Sequence, residues 1–234
     1  MLTHPESPSR PLQVKICGLT RPDEAVACAR LGADAIGLVF YPKSPRHVSD
    51  DQARAVVAAL PSSVAAVGVF VDADFETIMA RVSGCGLSMA QLHGRETPAL
   101  TERLTAAGVG VIKALFVGGR PDLEEGRNYK VDAFLVECAK GPLPGGNAMT
   151  WDWAAAREFG RQYPLVLAGG LDPENVATAI QAARPAAIDL SSGVEASPGR
   201  KDPDKVARLL EAVNRIAAPD DSFRSSQVFR PRKG

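Results

Sequence analysis

Val14-Lys15-Ile16-Cys17-Gly18-Leu19-Thr20 sets a lone cysteine at the end of a short apolar run and follows it at once with a glycine. Thr20-Arg21-Pro22-Asp23-Glu24 then announces a helix. Thr20 or Arg21 stands at its cap, a proline falls in its first turn, and two acids suit the positive end of its dipole. Strand, cysteine and helix make one βα unit. Alternate side chains share a face of a strand, so a Cys17 that points into a barrel mouth has Lys15 on the same inner face, while Val14 and Ile16 point outward. A lone strand cysteine is more often a small packed hydrophobe than a reactive group. Here the rest of the chain argues for reactivity.

Short runs rich in Val, Ile, Leu and Ala recur at residues 14–17, 35–40, 66–71, 87–92, 109–114, 133–137, 165–168 and 187–190, eight in all. They are mostly continuous rather than alternating, as expected of parallel strands covered by helices. Helical patterns lie between them, such as residues 23–31 closed by Gly32 and 49–60 closed by Pro61. Eight βα units predict an α/β fold, a single (β/α)8 TIM barrel with an outer ring of helices. No GxGxxG follows the first strand to suggest a dinucleotide fold. The expected plan is a flexible extension over residues 1–12, a catalytic barrel over 13–218 and a disordered tail over 219–234. Arg224, Arg230, Arg232 and Lys233 stand in that tail among Ser and Pro, with little apolar content to pack.

The 234 residues carry 27 basic and 27 acidic side chains, so there is no electrostatic case for nucleic acid or an anionic membrane as partner. No apolar run approaches a membrane span, and the N-terminus lacks the apolar core of a secretion signal, so the expected location is the cytoplasm. Four cysteines, at 17, 28, 85 and 138, form no CxxC pair. The three histidines, His4, His47 and His93, stand at no zinc-ligand spacing, and the chain reads as free of metal and cofactor.

Barrel enzymes keep their chemistry at the C-terminal ends of the strands. The second exit carries Tyr41-Pro42-Lys43-Ser44-Pro45-Arg46-His47, a proline-stiffened basic loop whose guanidinium suits a carboxylate. The fourth carries Gln91-Leu92-His93-Gly94, and the sixth ends in Glu137, which alternation places on one face with Ala133 and Leu135. A lone acid there costs solvation unless it has a partner or a task. The seventh and eighth exits read Ala168-Gly169-Gly170-Leu171 and Asp189-Leu190-Ser191-Ser192-Gly193. Either glycine cluster alone is an ordinary turn. At these two ordinal positions they suggest a phosphate cradle, with Gly169, Gly170, Ser191, Ser192 and Gly193 as its residues, and a small phosphorylated molecule as partner.

These blocks resemble the phosphoribosylanthranilate isomerases of tryptophan biosynthesis. The resemblance rests on KICGLTRPDEA (15–25), GLVFYPKSPRHVS (37–49), VGVFVD (67–72), QLHG (91–94), LAGGLDPENV (167–176) and DLSSGVEASPGRKD (189–202), and spans roughly residues 14–215. It implies a cofactor-free Amadori rearrangement, in which N-(5-phosphoribosyl)anthranilate becomes 1-(o-carboxyphenylamino)-1-deoxyribulose 5-phosphate. By matching positions it implies Cys17 as base, Glu137 as acid and Arg46 as the holder of the anthranilate carboxylate. Lys15, His93 and Asp189 are further substrate-binding candidates. Lys15 is also expected to draw the thiol of Cys17 below its usual pKa of ~8.5. The chain departs from the family in two places: Glu137 stands where aspartate is usual, and Gly145-Gly146-Asn147-Ala148-Met149-Thr150 replaces the usual loop before Trp151-Asp152-Trp153. Two other readings remain open, a paralogous barrel isomerising a related phosphoribosyl aminoaldose and a non-catalytic barrel that binds a phosphometabolite. A monomer and a homodimer are both compatible with the sequence.

Overall fold

The computed structural model describes residues 12–139, 150–216 and 227–231. Eight parallel strands close on themselves in sequence order: β1 (Gln13–Cys17), β2 (Ala35–Val39), β3 (Ala65–Phe70), β4 (Met89–Leu92), β5 (Gly110–Val117), β6 (Ala133–Cys138), β7 (Leu165–Leu167) and β8 (Ala187–Leu190). Alternation sorts their side chains as expected. Val14, Ile16, Phe134 and Val136 join a large cluster between sheet and helices, while Ala35, Val67, Met89, Ile112, Leu135 and Val166 fill the barrel interior.

Local signals place the helices. α1 (Pro22–Leu31) starts on its proline and ends at Gly32, whose φ of 112° is costly for any residue with a Cβ. α2 (Asp50–Ala59) is opened by a reciprocal capping box between Ser49 and Gln52. α3 (Phe75–Cys85) and α4 (Pro98–Ala106) are capped by Asp74 and Thr97. α5 (Arg157–Gln162), α6 (Val176–Ala183) and α7 (Pro203–Asn214) follow β6, β7 and β8.

Three features correct the sequence reading. The fifth unit has no α-helix: β5 runs on to Val117, and the connection holds only a 3-10 turn over Glu124–Asn128. Gly118-Gly119 and Pro121 break the helical pattern there, and Gly126 sits where a Cβ would come within 2.8 Å of Phe159. After β8 the chain forms a small hairpin of β9 (Glu195–Ser197) and β10 (Arg200–Lys201) before α7.

The third correction concerns residues 227–231 of the tail expected to be disordered over 219–234, whose residues 219–226 and 232–234 lie outside the described residues. Val228 and Phe229 are buried with the interior cluster, at the pole where the strands begin. Gln13 holds them: its Oε1 accepts from the backbone N–H of Val228 and Phe229 at 2.7 and 2.8 Å, and its Nε2 donates to Phe229 O at 3.0 Å. Ala35, Ala65, Ala133 and Ala187, each the first residue of its strand, leave the space that Phe229 fills. Of the expected N-terminal extension, residues 1–11 lie outside the described residues, and Leu12 is buried.

Candidate active site

Cys17 ends β1 on the inner face, with Lys15 beneath it. Lys15 Nζ donates to Asp189 Oδ2 on β8 at 2.8 Å, and Lys15 and Asp189 are paired in the β1–β8 register. Gly37 of β2 stands opposite Cys17, and a Cβ there would come within 2.6 Å of Cys17 Sγ and 3.0 Å of Lys15 Cε. The absent side chain makes the room for the thiol and the ammonium.

The electrostatics of this corner are mixed. Burial pushes the Cys17 thiol above its usual range, opposed by the charges of Lys15 and, more weakly, Lys201. The expectation that Lys15 would bring the thiol down therefore fails in its net sign, although the direction of its pull is as expected. Burial also raises Asp189 against the pull of Lys15. Lys15 itself is disfavoured by burial, yet the Asp189 carboxylate and the Cys17 thiol together carry it above its normal value.

Glu137 lies on the inner face of β6, buried, with Oε1 3.0 Å from His93 Nε2. His93 Nδ1 is in turn 3.0 Å from Gln91 Nε2. His93 is thus the partner of Glu137 and is tied to β4 by Gln91, a role the expectation of substrate contact did not include. Gln91 Oε1 and Asp189 Oδ1 are buried acceptors with no hydrogen-bond partner. The loop after β6 lies outside the described residues from 140 to 149. Beyond it, Trp151 and Trp153 donate their indole N–H groups to the carbonyls of Ala168 and Gly169 at 3.0 and 3.2 Å, fixing the β7 exit.

Arg46 does not stand free in its loop. Its Nε and Nη2 meet Glu195 Oε1 and Oε2 of β9 at 2.8 and 2.7 Å in a buried, two-pronged pair. Lys201 Nζ lies 2.7 Å from Glu195 Oε1 and 3.1 Å from Ser191 O. Burial alone would raise Glu195, but hydrogen bonds from Arg46 and the charge of Lys201 hold it below its usual value. Gly18 serves the same arrangement: its φ is 81°, and a Cβ there would fall 2.5 Å from Arg46 Cδ.

The β7 and β8 exits meet. Gly169 and Gly170 have φ of 85° and 69°, and a Cβ on Gly193 would collide with the carbonyl oxygen of Leu171. Gly169, Gly170, Ser191, Ser192 and Gly193 are all half-buried at the mouth. Ser191 Oγ donates to Cys17 O at 3.1 Å, joining this wall to β1.

The opposite wall is filled by its own side chains. Glu96 accepts from the N–H of Asp72 and of Gly94 at 3.0 Å each, Asp72 Oδ1 accepts from Arg95 N at 2.6 Å, and Lys113 Nζ closes the knot on Glu96 Oε2 at 2.8 Å and Gly94 O at 2.7 Å. Backbone amides at the β3 and β4 exits are thereby spent on carboxylates of the chain. No group of three or more His, Cys, Asp and Glu side chains able to hold a metal occurs among the described residues.

The structure therefore gathers Cys17, Lys15, Asp189, Glu137, His93, Arg46 and both glycine loops at one end of the barrel. Sequence reasoning missed Gln91, Glu195 and Lys201. Only the DLSSGVEASPGRKD block carried a signal for the last two, and it did not say what they touch.

The family model described as N-(5'-phosphoribosyl)anthranilate (PRA) isomerase matches residues 14–212. An N-(5'-phosphoribosyl)anthranilate isomerase of Desulfatibacillum aliphaticivorans is 56% identical over 200 residues, covering 86% of this chain and 92% of that protein. The crystal structure of phosphoribosyl anthranilate isomerase from Thermotoga maritima superposes with a TM-score of 0.79 at 39% identity, over 86% of this chain and 98% of that one. A crystal structure of phosphoribosyl anthranilate isomerase in complex with reduced 1-(o-carboxyphenylamino)-1-deoxyribulose 5-phosphate gives 0.76 at 38% identity, over 86% of this chain and 98% of that one. With the barrel, the site and these likenesses in agreement over the same residues, the chain belongs to the N-(5'-phosphoribosyl)anthranilate isomerase family.

Proposed function

We propose that Cys17 and Glu137 carry the two proton transfers of the family's reaction, the aldose-to-ketose isomerisation of N-(5'-phosphoribosyl)anthranilate in tryptophan biosynthesis. The ribose phosphate is held by backbone amides of Gly169, Gly170, Ser192 and Gly193, with Ser191 alongside, and the anthranilate carboxylate by Arg46. Glu137 gives its proton to the furanose oxygen as the C1–O bond breaks and the nitrogen lone pair closes a C1=N bond. Cys17, as thiolate, removes the proton at C2, and those electrons form C1=C2 while the iminium pair returns to nitrogen. The enol then gives up its O–H proton to water as C1 takes one from water, forming the ketone, and the Cys17 thiol loses and the Glu137 carboxylate regains a proton from solvent to complete the cycle. Two positioned groups, each contributing ~10²- to 10⁴-fold, suffice without a metal. Asp189 Oδ1, buried and without a partner, is suited to accept from a sugar hydroxyl.

The observation that carries this reading is the occupancy of the two walls. One wall offers paired glycine turns, while the other has its amides taken by Glu96 and Asp72. That asymmetry favours a substrate with one phosphate over a larger one with two. The buried thiol of Cys17 and acid of Glu137 are a proton-transfer pair that a binding protein would not need. We place the enzyme in the cytoplasm, where tryptophan biosynthesis runs, with every site residue named here drawn from one chain whether single or paired.

The test is turnover. N-(5'-phosphoribosyl)anthranilate generated in situ loses its fluorescence as product forms, and the chain should accelerate that loss catalytically. Stoichiometric binding without turnover, or turnover of only a bis-phosphorylated aminoaldose, would refute the reading.

A further inference from the structure

Arg46 and Lys201 approach the mouth from opposite ends of the sequence, and both end on Glu195. The carboxylate is fully engaged: Arg46 takes both oxygens, Lys201 and Gly199 N share Oε1 at 2.7 and 3.2 Å, and Lys205 Nζ holds the Glu195 carbonyl at 2.8 Å. The side chains of Arg46, Glu195 and Lys201 are 8, 5 and 1% exposed. Such burial makes their geometry fixed rather than averaged over rotamers.

A guanidinium can grip a carboxylate in two ways, along its Nε edge or end-on through its two terminal nitrogens. Glu195 occupies the Nε edge. What remains is Nη1 and the outer N–H of Nη2, which form one end-on pair. Charge points the same way. Lys15, Lys201 and Arg46 are three buried cations, and Asp189 and Glu195 are their two buried carboxylates. Lys15, Arg46 and Lys201 outnumber those two carboxylates, leaving one positive charge in excess. An incoming carboxylate neutralises it.

We propose that Glu195 is a positioning residue that aims the end-on pair of Arg46, and thereby sets the enzyme's selectivity for an arylamine bearing a carboxylate. This rests on the assignment of Arg46 to the anthranilate carboxylate. Glu195 touches no substrate atom in this account. Lys201 keeps the carboxylate from swinging away with Arg46, since it is anchored independently on Ser191 O at 3.1 Å. The device thus ties the grip on the carboxylate to the wall that holds the phosphate.

The test compares Glu195→Gln and Glu195→Asp with the wild-type chain by kcat, by KM for N-(5'-phosphoribosyl)anthranilate and by competitive inhibition by inorganic phosphate, which probes the glycine loops alone. Glu195→Gln keeps the shape but loses the charge that orients Arg46. KM should rise ~10-fold or more, the scale of a hydrogen bond to a charged group, with kcat reduced less than KM rises. Inhibition by phosphate should change by no more than about twofold, against that tenfold loss. Glu195→Asp should recover part of the loss. If KM stays at the wild-type value, or if phosphate weakens in parallel with substrate, Glu195 merely supports the fold and the proposal fails. Should the glutamine variant not fold, the aspartate variant decides alone: raised KM with unchanged phosphate inhibition supports the proposal, and an unchanged KM overturns it. A wild-type chain without turnover overturns the functional reading and this one with it. Wild-type turnover with unaffected variants overturns this one only.

Discussion

His93 Nε2 lies 3.0 Å from Glu137 Oε1, so the acid at the β6 exit has one oxygen fixed from β4. A Cβ on Gly169 would stand 3.2 Å from the Cβ of Glu137, so the glycine leaves the room that the acid's side chain takes. The longer acid is therefore braced at its tip.

Glu137→Asp should lower kcat here, although aspartate is the family's usual residue. Shortening the side chain draws the carboxyl back by about 1.5 Å, out of reach of His93. A misplacement of about 1 Å at a reacting group can cost ~10²-fold. Glu137→Gln should lose more, on the order of 10²- to 10⁴-fold, because it removes the proton without moving the group. Steady-state kcat at saturating substrate, on variants shown to be folded, checks both. A glutamine variant with wild-type kcat would move the acid elsewhere, and Asp189 would be the next candidate.

The pH dependence follows from Cys17. Burial holds its thiol above the ordinary thiol range, with Lys15 and Lys201 pulling down and Asp189 pushing up. The reactive form is the thiolate, so its fraction in the free enzyme grows as pH rises and is not complete at 9.0. The rate of Cys17 alkylation by a small thiol reagent, wild type minus Cys17→Ser, reads that thiolate directly and should climb through neutral pH and still be rising near pH ~9. A plateau reached below pH ~8 would mean that the two lysines outweigh burial.

Removing residues 227–234 should destabilise the barrel while sparing catalysis. Val228 and Phe229 are buried at the pole where the strands begin, and the site lies at the other. Burying two such side chains contributes at most about 3–6 kcal/mol, from which the cost of ordering the segment is subtracted. A net loss of ~1–3 kcal/mol corresponds to a fall in Tm of several degrees, roughly 2–4 °C for each kcal/mol in a chain of this size. Thermal melts of the full and shortened chains test this, with kcat at ~25 °C expected to agree within about twofold. Equal Tm values would show that the segment does not stay docked in solution.

Much of this was legible in the sequence because it is local. The apolar runs mark every strand, and alternation alone puts Lys15, Cys17 and Glu137 inside. Gly32 marks a helix end by a backbone geometry that a sequence states directly, and the helical pattern read from residue 49 begins where Ser49 caps α2. The rest is non-local. Arg46 and Glu195 stand 149 residues apart, and no spacing rule joins a loop arginine to a glutamate in a hairpin on the far side of the chain. The partnership of His93 with Glu137 is of the same kind, linking β4 to β6. Val228-Phe229 is a pair of apolar residues among Ser, Arg and Pro, a composition that reads as unfolded. Only the alanines at the strand starts, and the side-chain amide of Gln13, reveal the space that receives it.

The central claim is that the Cys17 thiolate removes the C2 proton. Cys17→Ser is the direct test, because it replaces one atom and leaves the fold, the glycine loops and Arg46 in place. Fluorescence-monitored turnover at saturating substrate should fall by at least ~10²-fold, the lower bound for losing a general base, while reduced 1-(o-carboxyphenylamino)-1-deoxyribulose 5-phosphate binds with near wild-type affinity. Wild-type kcat in the serine variant would contradict the account and leave Cys17 as packing.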